Sequence, residues 1–188
     1  MTEIAHLHRR ALDSTGRVVA GISADQLDLS TPDADWDVRA LLNHVVGGNL
    51  WAAELAAGRT IEQVGDRLNG DVIGADPAAA YDRSALAAAA AFEAPGALDA
   101  PCAVSYGPVP GAVYAGHRFI DVLIHGWDLA QATGQDTKLE PGLVDACTEL
   151  LEPQVEAFRA AGAIGPAVPT EPGASPQIRL LAMLGRRG

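Results

Sequence analysis

Apolar positions along the chain recur at steps of three and four residues, and no convincing run alternates with period two, which predicts helices throughout. The first helix is expected over about 4–20, with Leu7, Ala11, Val18 and Val19 on its apolar stripe. "ISADQLDLSTPDAD" then breaks the period with Pro32 and a cluster of acids. A second helix is expected over about 36–57, carrying Val38, Leu41, Leu42, Val45 and Val46 at helical spacing. Asp35 reads as its N-cap, Asp37 falls in its first turn where a carboxylate suits the helix dipole, and Gly58 ends it. Gly47 and Gly48 sit inside this helix at ~1 kcal/mol each relative to alanine. Either they are simply tolerated or they admit a backbone or ligand at close range.

Pro77 suits the first turn of a third helix over about 77–94. "PGALDAPCAVSYGPVPG" reads as a long loop or a short hairpin. A fourth helix over about 112–133 is closed by Gly134, and a fifth over about 141–161 is kinked or split by Pro153. The Pro-rich "IGPAVPTEPGASP" is a loop, and a short helix follows Ser175 with Pro176 in its first turn. The expected class is therefore all-α, a helical bundle formed as one domain over residues 1–188.

Composition narrows the function. With 48% hydrophobic residues among 188, the chain can bury a core without staples. A net charge of −11 argues against nucleic-acid backbone binding, which needs clustered Lys and Arg. No apolar run approaches the ~18 residues of a membrane span. "MTEIAHLHRRALD" lacks the apolar core of a signal peptide, so a cytoplasmic protein is expected. Cys102 and Cys147 stand far apart and outside any CxxC spacing, which suggests reduced thiols rather than a disulfide or a cysteine zinc site.

The chemistry concentrates in "GHRFIDVLIHGWDLAQATG". His117, Asp121 and His125 are spaced by four residues in a stretch that is apolar nearly all round, as in a buried helix. A buried carboxylate needs compensation. A plain Asp–His hydrogen bond would supply it; so would a divalent metal reached by Asp121 and His125 from adjacent turns. His44, at the edge of the second helix's apolar face, is either a satisfied core histidine or a third ligand. His117 lies two turns, ~12 Å, from His125, too far for one ion to take both, and could pair with Asp121 instead. Asp128 either orients an imidazole N–H or is an ordinary polar residue near a helix end.

"WDVRALLNHVVGGNLWAAELAAG", followed by "GHRFIDVLIHGWDLAQATG", resembles the DinB-like superfamily. More closely, the chain is similar to the metal-binding domain of mycothiol-dependent maleylpyruvate isomerases and its metal-binding relatives. "PDADWDV", "YGPVPGAV" and the ending "ASPQIRLLAMLGRRG" extend the likeness over nearly the whole chain. The resemblance implies a four-helix bundle with a metal site between helices and an additional short C-terminal helix. By position the metal ligands are His44, Asp121 and His125, and His117 is not among them. The isomerase has glutamate where Asp121 stands, and many relatives have cysteine where Asp33 stands.

A divalent metal is the expected cofactor, zinc foremost, with nickel, iron and manganese also suited to His and carboxylate ligands. The resemblance adds mycothiol as cosubstrate. The expected function is a metal-dependent thiol transferase or isomerase, whose partners are a small thiol and a small electrophile. A non-catalytic metal-containing binding or regulatory module is the alternative, and a homodimer is left open. The segment around Tyr106 and the Pro-rich stretch 165–176 are expected to wall the pocket.

Overall fold

The computed structural model describes residues 3–33 and 36–188, so the expected N-cap Asp35 lies outside the described residues. The chain forms two compact units, Met1–Thr137 and Lys138–Gly188. The first contains α1 (Glu3–Ala20), α2 (Val38–Ala56), the one-turn α3 (Ile61–Val64), α4 (Pro77–Glu93) and α5 (Gly111–Ala132). Between α4 and α5 the Pro- and Gly-rich segment folds as a hairpin of β1 (Pro101–Val104) and β2 (Gly107–Pro110), with Cys102 opposite Val109.

Helices α1 and α2 each pack against both α4 and α5, so the four long helices close a bundle around one core. Leu41, Leu42 and Val45 of α2, Phe92 of α4, and Phe119, Leu123 and Trp127 of α5 are all buried there. From Tyr114 to Ala130 every residue of α5 is buried except His117 and Asp121, which are half-buried. At Gly126 of α5 a Cβ would collide with the Thr15 hydroxyl of α1. The glycine thus lets the helices approach closely enough for Thr15 Oγ1 to donate to the Val122 carbonyl at 2.9 Å.

Helix α2 starts two residues later than the apolar spacing implies. Its N-cap is Asp37, which accepts from Ala40 N at 2.8 Å. The preceding connection folds back on this end: Val38 N donates to Leu29 O and Arg39 N to Leu27 O, at 3.0 and 2.9 Å. Those two amides are thereby satisfied without a further helical turn, and Trp36 lies outside the helix. At the other end Gly58 takes the left-handed conformation, φ 85°, of a helix terminus.

The second unit holds α6 (Pro141–Leu151), α7 (Val155–Ala160) and α8 (Pro176–Met183). Pro153 does split the expected fifth helix, through a 3-10 turn over 152–154. Ser175 caps α8 by accepting from Ile178 N, and α8 packs on α6. Gln177 Oε1 accepts from Leu139 N at 2.9 Å, and Arg159 Nη2 donates to Met183 O at 2.9 Å. The architecture is all-α, a bundle with one small hairpin and added C-terminal helices.

Candidate metal centre

Helix α2 supplies His44, and α5 supplies Asp121 and His125 one turn apart. His44 Nε2 lies 3.2 Å from Asp121 Oδ1, and His125 Nε2 lies 3.7 Å from the same oxygen. The two imidazoles meet edge to face with centroids 5.1 Å apart. Ligand-type atoms of all three residues fall within 4.8 Å of one another. Ligand atoms ~2.0–2.1 Å from a tetrahedral zinc stand about 3.3 Å apart, so this spacing and donor chemistry fit one divalent ion.

Asp128, fully buried on the next turn, fixes the orientation of His125. Its Oδ2 lies 3.0 Å from His125 Nδ1. An ionised carboxylate can only accept, so Nδ1 carries the proton and the Nε2 lone pair is left facing Asp121. Asp33 also approaches this side of the ring: Asp33, His125 and Asp128 bring a second set of ligand-type atoms within 4.8 Å. Trp36 covers the imidazoles, its ring 4.5 Å from His44 and 5.9 Å from His125.

Arg118, which the sequence reading passed over, compensates Asp121 directly. Its Nη1 lies 2.9 Å from Asp121 Oδ2, one turn back on α5. That oxygen is buried and receives no well-aligned hydrogen bond among the described residues. Burial alone would raise the Asp121 pKa. The Arg118 guanidinium and the hydrogen bond to His44 outweigh burial and hold the carboxyl well below its usual range. Arg118 Nη2 donates to Asn49 Oδ1 at 3.3 Å, and Asn49 Nδ2 donates to Ser84 Oγ at 3.3 Å, tying α5 through α2 to α4. Space for the guanidinium comes from Gly48, where a Cβ would land on it. Gly47 has no such duty: its Cβ would meet Val72 Cγ2 at an ordinary 3.9 Å.

His117 is not brought to the triad. Its Nδ1 bonds Tyr106 Oη on the hairpin at 2.7 Å. A histidine missed in the sequence lies on α1. His8 is fully buried, edge-on to Phe92 at 5.2 Å, and neither ring nitrogen has a hydrogen-bond partner among the described residues. Burial, then the charges of Arg118 and Arg9, push its pKa down to about 3, so the ring is neutral. The signal was present: buried Ala5, His8, Leu12, Thr15 and Val19 recur at alternating steps of three and four.

Two histidines and an aspartate thus converge from two helices of a four-helix bundle as a candidate metal centre. The chain belongs to the family described as the mycothiol maleylpyruvate isomerase N-terminal domain, whose model matches residues 8–130. Two relatives, both uncharacterized proteins of Mycobacterium tuberculosis (strains CDC 1551 / Oshkosh and ATCC 25618 / H37Rv), are each 41% identical over 159 residues. The likeness covers 82% of this chain and 81% of each relative. No solved structure matches. Among the described residues, no helix is long and apolar enough to cross a membrane.

Proposed function

We propose that the chain is a divalent-metal protein of thiol chemistry, a mycothiol-type transferase or isomerase acting on a small electrophile. The convergence of His44, Asp121 and His125 carries this reading, with the Asp128 hydrogen bond leaving His125 Nε2 free to ligate. Family membership supports it by associating the fold with mycothiol. Zinc suits the donor set best, and nickel, iron or manganese are alternatives. A bound divalent ion lowers the pKa of a coordinated thiol and so supplies thiolate at neutral pH. His44, Asp121 and His125 would hold it, Arg118 keeps Asp121 ionised, and Trp36 shields the two imidazoles from solvent on one side.

The test is elemental analysis of untagged protein, followed by calorimetric titration of the metal-loaded chain with mycothiol. Near-stoichiometric metal and saturable thiol binding are expected. His125→Ala should lose both, and His117→Ala should keep the metal. Metal present with no thiol binding at millimolar concentration overturns the transferase reading in favour of a non-catalytic metal-containing module.

A further inference from the structure

Along α2, His44, Gly48, Trp51 and Leu55 recur at steps of four, three and four, and so share one face. Along α5, Tyr114, Arg118, Asp121 and His125 do the same. These helices pack together, and about two turns, ~10 Å, along them from the triad lies a cavity of about 310 Å³. Its walls are Trp51 and Leu55 of α2, Ile61 of α3, Val104, Ser105 and Tyr106 of the hairpin, and Tyr114 of α5. The volume is at the lower end for small-molecule sites. None of the described residues lining it is charged.

Of its lining residues Ser105, Tyr106 and Tyr114 carry hydroxyls. Tyr106 Oη is 2.7 Å from His117 Nδ1, and His117 falls on α5 between Tyr114 and Asp121. Partial loss of hydration, and secondarily Cys102, raise the Tyr106 phenol above its ordinary pKa. Burial also pushes Tyr114 up to about 12. Both hydroxyls therefore stay protonated at neutral pH. When His117 Nδ1–H donates to Tyr106 Oη, the Tyr106 O–H is left to donate to a ligand oxygen. A carboxylate entering the cavity would lose part of its hydration and meet no cation among the described residues that line it.

We propose that this cavity is the subsite for the electrophile's body, and that it selects a neutral aryl or branched-alkyl carbonyl compound whose oxygen accepts from Tyr106 Oη. The assignment of the occupant as electrophile rests on the thiol-chemistry reading above; the preference for a neutral carbonyl compound rests on the cavity alone.

The test uses ligand-observed NMR on the full-length, metal-loaded chain with acetophenone, ethylbenzene and benzoate as probes. Acetophenone should bind saturably in the millimolar range or below, with benzoate at least about tenfold weaker. Tyr106 is 62% exposed, so Tyr106→Phe should fold normally, with its melting temperature as the control. It should weaken acetophenone by about tenfold, the worth of one good hydrogen bond, and leave ethylbenzene unchanged. Ile61→Trp, which fills the cavity from its rim, should weaken both probes. Equal or tighter binding of benzoate, an unchanged acetophenone affinity in Tyr106→Phe, or no saturable ketone binding overturns the proposal. His44→Ala separates the two readings, because it should lose the metal and retain acetophenone. If acetophenone binds and mycothiol does not, only the thiol reading falls.

Discussion

Arg118 and Asp121 form a 2.9 Å ion pair across one turn of α5, so the carboxylate shares its two oxygens between opposite neighbours. Oδ2 faces the guanidinium, while Oδ1 faces both imidazoles. The first contact keeps the group ionised inside the bundle, and the second aims its charge at the point where the ligand atoms converge.

Adjacent glycines should respond with opposite sign. Gly47→Ala gains helix propensity and meets only an ordinary contact, so it should stabilise the fold by up to ~1 kcal/mol. Gly48→Ala gains the same propensity but displaces the Arg118 guanidinium, so it should destabilise by ~1–3 kcal/mol and lower the metal content. Urea denaturation of both variants, with elemental analysis, checks this.

Asp128→Asn should weaken the metal site without destroying it. The amide fits the same space but no longer requires the proton to sit on His125 Nδ1. A 10–100-fold loss of metal affinity is expected, about what the removal of such an orienting partner produces. Competition with a chromogenic chelator measures it, and full occupancy at excess metal should survive.

His8 should make the fold acid-sensitive above the carboxylate range. Its folded pKa is lowered to about 3 from 6.5, so between those values the unfolded chain holds the proton and the folded chain does not. The stability is fully present above about pH 6.5 and drains as pH falls towards 3, by on the order of 1.4 kcal/mol per unit. Asp121 acts in the same direction but only below its unfolded value of 3.8. His8→Leu should flatten the urea midpoint between pH 6.5 and 4 and leave pH 7 stability at least as high, since no imidazole nitrogen is then buried without a partner.

Cys102 and Cys147 are both free and buried, and burial pushes the Cys147 thiol up to about 12. Neither is a ready nucleophile. A chromogenic disulfide reagent should find two thiols in denaturant without reductant, and react only slowly with the native protein.

Helix ends were legible where one residue carries the local chemistry: Gly58 and Gly134 at positive φ, and Ser175 capping α8. His44, Asp121 and His125 were reached as a set through the family resemblance; spacing alone left a core histidine or a simple Asp–His bond open. The N-cap register of α2 was not legible, because residues 27 and 29 compete for its first amides from across a turn. Trp36 was read as helical for the same reason, and its place over His44 went unseen. Arg118 needed a facing helix to be understood: only Gly48, 70 positions away, makes room for its guanidinium.

The residues that face one another at the triad are remote along the chain, His44 and Asp121 being 77 positions apart. A ribosome adding ~5–20 residues per second needs about 4–15 s to cover that distance. Throughout that interval the nascent chain exposes a single histidine of the three donors, with at most weak hold on a passing ion. The three donors therefore come together only once α5 has been made and docked, so on the proposed metal reading folding precedes the ion.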